Sequence, residues 1–334
     1  MKRSYIFSLI ILCAIILTMA VVWADETAPK GPEKPTPPPS VPTIDSAYPG
    51  LASGILTFAK AVTLTDGILL QSGLSAEVPQ GGTKAGELKI TTKDLDAEMS
   101  KSSPEIRSQL MKNAFFLLEQ NSTEKLLLLE ARAAAVTAKK DLKGLSDKEI
   151  IQQSLKPIQD KVTVTDSEVK DFYENNKDMC GGATLEQVKN DLKKYVLEQK
   201  QQDAINEHIR TMGQRVNIEV DKTWLDKQYV TARDNPVDKA RSGGLPSLID
   251  FGSTGCRPCD MMAPILATLK KKYENKLNVL FIHVGEEKIL AARYGIQSIP
   301  VQIFFDKSGK EVFRHTGFFP QAEIEKKLNE MGVK

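Results

Sequence analysis

A chain of 334 residues is too long for one typical domain and long enough for two, each able to bury its own core. Its 45 Lys and Arg against 43 Asp and Glu leave a net charge of +2, which argues against a strongly electrostatic partner such as nucleic acid. What the protein binds must therefore be read from motifs.

Met1-Lys2-Arg3 precedes an almost uninterrupted apolar run from Tyr5 to Trp23, then Ala24 and the acidic pair Asp25-Glu26, the pattern of a secretory signal. Val22 and Ala24 are small residues placed for cleavage after Ala24, so residues 1–24 read as a signal peptide. The run also reaches the ~17–25 residues that cross a bilayer, so an N-terminal membrane anchor is the alternative. Both readings put the folded chain in the periplasm or another extracytoplasmic space. Leu12 before Cys13 is not the small residue a lipoprotein signal wants, which speaks against lipid anchoring. Without the signal three cysteines remain, Cys180, Cys256 and Cys259, an odd count that suits a redox pair plus one thiol better than a stapled scaffold. Residues 25–43, with GPEKPTPPPSVP at their centre, form a stiff proline-rich tether.

Residues 44–232 read as a mostly helical domain with small β elements. Gly54–Leu70 alternates like strands and breaks at Asp66-Gly67, which predicts a hairpin. Gly81-Gly82 marks a loop, Glu87–Ile90 a short strand, and Thr92 the start of helical text. Ser103-Pro104-Glu105 supplies a cap, a proline at the first helical position and an acid near the positive helix end. Ser146…Glu149, Thr165…Glu168 and Thr184…Gln187 match reciprocal capping boxes, so at least four helices begin near 104, 147, 166 and 185. The stripe Ile106, Leu110, Phe115, Leu117, Leu118, continued by Leu126 to Leu129 and Ala131, is read as core. The last helix runs from Leu185 to about Met212 and is rich in charges and amides, and Val216–Val220 follows as a strand. Asp234-Asn235-Pro236 through Gly243-Gly244 is polar and breaker-rich, so residues 233–244 read as the linker.

The text TVTDSEVKDFYENNKDM, the long helix ending in QKQQDAINEHI, and VNIEV resemble periplasmic chaperones of the SurA type over residues 85–220. In that family such text flanks a parvulin prolyl-isomerase domain. Here only seven residues separate Asn176 from Thr184, so the isomerase is missing. The resemblance therefore implies a chaperone-like helical module without isomerase activity, with Cys180 in the short bridge.

Leu248-Ile249-Asp250-Phe251 is a buried-strand pattern carrying a charge, and after Gly252–Gly255 comes Cys256-Arg257-Pro258-Cys259. A C-x-x-C that follows a strand and opens a helix can close a disulfide across the first turn, and the helix N-terminus favours the first thiolate. Half of a zinc site is the competing reading, but the chain offers only Cys180 and the scattered His208, His283 and His315 as further ligands, so no metal is expected. No Gly-rich phosphate loop and no C-x-x-C-H occur, since Asp260 follows Cys259, and no cofactor is expected.

LIDFGSTGCRPCDMMAPIL, VLFIHV and ARYGIQSIPVQIFFDKSGKEVFRHTGF resemble thioredoxin over residues 246–334. The fold class is thus a multidomain chain: a SurA-like α-helical module, then an α/β thioredoxin domain at residues 245–334. The resemblance makes Cys256 the attacking thiolate, Cys259 the resolving thiol and Asp250 the buried acid that helps deprotonate it. It places Arg257 and Pro258 in the active-site loop, Pro264 as the proline within the active-site helix, and Pro300 as the cis-proline facing the dithiol. Ile299 and Pro300 would bind substrate backbone as an added strand. Gly252 and Gly255 stand where thioredoxin carries tryptophans, which implies a flatter, less apolar surface. Phe281 takes the place of the lysine that partners the buried acid, which leaves Asp250 less compensated. The Arg257 guanidinium favours the thiolate, so the couple should be more oxidising than thioredoxin's roughly −270 mV.

Together these readings describe an extracytoplasmic thiol–disulfide oxidoreductase that reduces or reshuffles disulfides of unfolded clients held by the helical module. Its partners would be those clients and a membrane or periplasmic dithiol electron donor. The alternatives are an assembly factor that uses the thioredoxin fold as a binding platform and a dedicated reductant in cytochrome maturation.

Overall fold

The computed structural model describes residues 41–52, 54–65, 67–73, 88–180 and 182–334. The signal or anchor reading of residues 1–24, most of the tether, Asp66 of the turn and the Gly81-Gly82 loop lie outside the described residues.

Thr43 caps α1 (Ile44–Ala47), and a single 3-10 turn, Ile55–Phe58, leads into β1 (Lys60–Val62). β2 (Ile68–Gly73) and β3 (Leu88–Thr91) follow. The hairpin predicted for residues 54–70 does not form. β1 and β2 are separated by a strand from far along the chain, β4 (Asn217–Asp221), which runs parallel to β1 and antiparallel to β2. The cause is burial: β4 brings Ile218 and Val220, both buried, against the buried Leu70, whereas β1 has exposed or half-buried side chains to offer.

The helices start where the caps say. α2 (Thr92–Ser100) opens on a capping box at Thr91, and α3 (Pro104–Lys112) on Ser103. The apolar stripe is divided between α3 and α4 (Ala114–Thr137), because Asn113 leaves helical geometry and turns its amide back to the Gln109 carbonyl at 2.9 Å. Leu110, Phe115, Leu118 and Leu126 of the stripe are buried, which is the core role expected of it. α5 (Asp147–Asp160), α6 (Asp166–Asn175) and α7 (Leu185–Arg215) each begin at their predicted box. Between α6 and α7 stands a 3-10 turn, Lys177–Cys180. α7 has 31 residues, about 46 Å of helix, and its end delivers the chain into β4.

After β4 come α8 (Lys222–Ala232) and α9 (Pro236–Ser242). The segment read as a linker is therefore a helix over most of its length. Asn235 accepts the Asp238 N–H at 3.0 Å, and Pro236 occupies the first turn, where its missing donor costs nothing. The residues read as breakers are start signals. α9 lies against the second sheet, made of β5 (Ser247–Gly252), β6 (Asn278–His283), β7 (Val301–Phe305) and β8 (Glu311–Thr316) in the order β6-β5-β7-β8. Its helices are α10 (Arg257–Lys272), α11 (Lys288–Arg293) and α12 (Gln321–Glu330), the strand, helix, strand, helix, hairpin, helix order expected.

Residues 41–334 form one compact unit, and named contacts tie its two sheets together. Asp238, buried on α9, receives the Arg293 guanidinium at 2.9 Å, the Arg241 guanidinium at 3.3 Å and the Tyr294 hydroxyl at 2.9 Å. Arg293 also donates to the carbonyls of Ala232 at 2.7 Å and Gly50 at 3.2 Å, which belong to the N-terminal part. Burial, then the Asp238 charge, push the Tyr294 hydroxyl up to about 12, so it stays a donor. On α3, the Gln109 amide donates to the Glu286 carbonyl at 2.6 Å and accepts the Ile289 N–H at 3.1 Å, so it clasps the start of α11.

Candidate active site

β5 is one of the two inner strands of its sheet, and all six of its residues are buried, Asp250 among them. It ends at Gly252, and the loop that follows turns at Gly255, whose φ of +76° only glycine adopts without strain. Cys256 is then the N-cap of α10, with Arg257 and Pro258 in the first turn. Proline is tolerated there because the first N–H groups of a helix have no intrahelical partner.

Cys256 and Cys259 are joined as a disulfide with Cα atoms 5.2 Å apart. The two sulfurs are unlike in access: Cys256 is half-buried, Cys259 only 4% exposed. The outer sulfur sits at the positive end of a 16-residue helix, which lowers the cost of a thiolate there. Arg257 is exposed, and Pro258 is half-buried. Pro264 lies within α10. The Ile299–Pro300 peptide bond is cis, with Pro300 buried and Ile299 half-buried immediately before β7.

Asp250 is wholly buried, and burial raises its carboxyl to about 6, while a hydrogen bond from Gln302 acts in the opposite direction. That bond runs from the Gln302 amide Nε2 to Oδ1 at 2.7 Å. Sequence reasoning named Asp250 and missed Gln302. The available signal was one amide in the strand Val301-Gln302-Ile303-Phe304-Phe305, whose five residues are all buried. Across the sheet the pairs Phe281, Asp250, Gln302 and His315 stand in register, one residue from each strand. His315 lies stacked on Phe319 at 4.2 Å, and burial lowers its titration, partly offset by a hydrogen bond to the Phe318 carbonyl.

Phe281 does stand beside Asp250 in place of a cation, as the sequence implies. The flatter, less apolar surface expected from Gly252 needs correction, however. Gly252 is buried, and a Cβ added to it would lie 2.8 Å from the Phe281 ring and 3.4 Å from the Cys259 sulfur. Phe281 is 48% exposed, so its ring restores apolar surface over the glycine, next to the inner cysteine. A second residue missed by sequence reasoning is His283, whose Nε2 accepts the Thr254 N–H at 3.2 Å and so pins the loop two residues before Cys256.

Cys180 is the free thiol among the described residues; it is half-buried, and desolvation pushes its titration up, away from thiolate character. Among the described residues no cluster of His, Cys, Asp and Glu could hold a metal, and no helix is long and apolar enough to cross a membrane.

Residues 234–332 match the family described as thioredoxin-like domain. The thioredoxin of Porphyra purpurea is 38% identical over 85 residues, which span 25% of this chain and 78% of that protein. A thioredoxin of Staphylococcus aureus is 37% identical over 100 residues, 30% of this chain and 94% of that one. A solved structure of a chloroplastic thioredoxin z is similar at 27% identity and a TM-score of 0.27, covering 29% of this chain and 86% of that one.

Proposed function

The chain belongs, through its C-terminal region, to the thioredoxin family, and from that premise we propose that it is an extracytoplasmic protein-disulfide oxidoreductase that works on incompletely folded clients. One observation carries the chemistry. An accessible sulfur at a helix N-terminus is paired with a shielded one, on a helix that follows directly from the strand bearing the buried carboxyl.

The Cys256 thiolate attacks a client disulfide; the Cys256–client bond forms, the client S–S bond breaks, and one client sulfur leaves as thiolate. The Asp250 carboxylate takes the proton of Cys259. The resulting thiolate attacks the Cys256 sulfur, which closes the Cys256–Cys259 bond and releases the second client sulfur as thiolate. A periplasmic or membrane dithiol then reduces the pair and is itself oxidised. Ile299, just before the buried cis-Pro300, offers backbone for the client chain to pair with as an extra strand.

The helical part, with its resemblance to SurA-type chaperones, holds the client, and the clasp on α11 keeps it at fixed distance from the dithiol. Holding raises the local concentration of the client's disulfides. The N-terminal apolar run delivers the chain outside the cytoplasm as a signal peptide or an anchor.

The test is reduction of an unfolded, disulfide-bonded substrate by the full chain with dithiothreitol as donor. Cys256→Ser should abolish it, while suppression of that substrate's aggregation survives. Full activity in Cys256→Ser would refute the oxidoreductase role and favour the binding-platform alternative. Equilibration with glutathione gives the potential: a value near roughly −270 mV suits a reductant, including one for cytochrome maturation, and one above about −200 mV suits an isomerase or oxidase.

A further inference from the structure

Among the described residues six buried side-chain polar atoms find no hydrogen-bond partner, and two of the six belong to one touching pair: Asp250 Oδ2 and Gln302 Oε1. The pair is wholly buried, and its one bond is the 2.7 Å contact from the amide N–H to Oδ1. An unsatisfied buried carbonyl is costly, and a leucine in this strand would avoid that cost. Gln302 is thus an amide held in an apolar strand whose sole side-chain hydrogen bond serves the carboxyl on β5, the strand that leads into the dithiol helix.

No cation stands in this row of the sheet. Phe281 on β6 and His315 on β8 flank the pair, and burial keeps the imidazole biased toward its neutral form. Gln302 is therefore the polar support that the ionised carboxylate has from its sheet neighbours. It commits Oδ1 and leaves Oδ2 as the atom free to take a proton.

Building on the oxidoreductase reading, we propose that Gln302 is the positioning residue of Asp250: its amide N–H holds Oδ1 and steadies the carboxylate, so that Oδ2 accepts the Cys259 proton in the resolving step. In that step the Cys259 S–H bond breaks and an Oδ2–H bond forms. The freed thiolate attacks Cys256, and the client leaves as thiolate. When a dithiol donor reduces the pair, the same proton returns to Cys259.

The test uses the full-length oxidised protein and follows the Asp250 carboxyl carbon by NMR as pH is varied. Gln302→Met, near in length and without the amide, should move the Asp250 midpoint from about 6 to about 7 or above. Starting from a mixed disulfide formed on Cys256 with Cys259 still a thiol, the resolving rate should drop about fivefold at pH 6 and recover by about pH 8. In an Asp250→Asn chain, Gln302→Met should leave the pH profile unchanged, because there is no carboxyl left to position. Gln302→Leu repeats the measurement should the methionine variant fold poorly. An Asp250 midpoint that ignores both substitutions overturns the proposal, as does a rate loss equal at all pH values. A wild-type chain inactive on every disulfide, whose Asp250 titration nonetheless answers to Gln302, would overturn the oxidoreductase reading and retain the pairing.

Discussion

Replacing Asp250 by asparagine should stabilise the oxidised protein, and the pH at which it does so is fixed by the site. The carboxyl titrates at about 6 in the fold against an ordinary 3.8, because burial penalises its charge more than Gln302 relieves it. A folded state with the higher value binds its proton more tightly than the unfolded chain does, so its stability is greatest below pH 3.8 and falls as pH rises through about 6. That difference amounts to about 3 kcal/mol once both states are ionised, a large part of the ~5–15 kcal/mol that holds a typical domain. Asparagine has nothing to titrate, and its carbonyl still accepts the Gln302 N–H. Urea unfolding of both proteins from pH 3 to pH 8 isolates this one group, since all others titrate alike in the two chains. The gap should open between about pH 4 and pH 6 and stay constant above. A gap that is flat across that range would show that Asp250 is not a buried titrating acid, and its proposed role as base would go with it. At neutral pH the same substitution should slow client release while leaving the attack by Cys256 intact, a stability gain joined to a functional loss.

Cys259→Ser should accumulate a mixed disulfide with the client on Cys256, visible on non-reducing gels, whereas Cys256→Ser should trap none, because the inner sulfur is only 4% exposed. Asp238→Ala leaves the Arg293 guanidinium, whose side chain is 7% exposed, with its carbonyl partners but no counter-charge, and should cost about 3–5 kcal/mol or roughly 6–10 °C of melting temperature; a loss under about 1 kcal/mol would show that this network does not hold the parts together. Gly252→Ala puts a methyl 2.8 Å from Phe281 and 3.4 Å from the Cys259 sulfur and should destabilise by about 1–3 kcal/mol, with Phe281→Ala in the same chain recovering part of it in calorimetry.

Local chemistry was the most legible part of the sequence. Caps at Ser103, Ser146, Thr165 and Thr184 set helix starts because a side chain and an N–H three residues away decide them without reference to the rest of the fold. The C-x-x-C pair was legible for the same reason. Long-range pairings were not. Ile218 and Val220 displace the local hairpin partner from a distance of about 150 residues, and no turn signal near Gly67 reports their presence. The Asn235-Pro236 helix was read as a linker because the same residues start helices and break them, and only the buried Val237 and Asp238 decide between the two. Gln302 needed the register of β7 against β5, which places it opposite Asp250.

The buried network around Asp238 bears on why the two parts share one chain. If a client is held as proposed, a flexible linker would let the dithiol sweep a wide volume around it, and effective concentration would then depend on linker length. Here α9 caps directly after α8, Arg293 reaches back to the Ala232 and Gly50 carbonyls, and Gln109 grips the start of α11. The β6–α11 turn gripped by Gln109 begins just after His283, which pins Thr254 beside Cys256. The helical part is thus joined to the active-site loop through a short series of named bonds. Buried ion pairs are weak sources of stability, and the role proposed for this one is to fix a single arrangement of the two parts, which the proposed holding of a client near the dithiol would require.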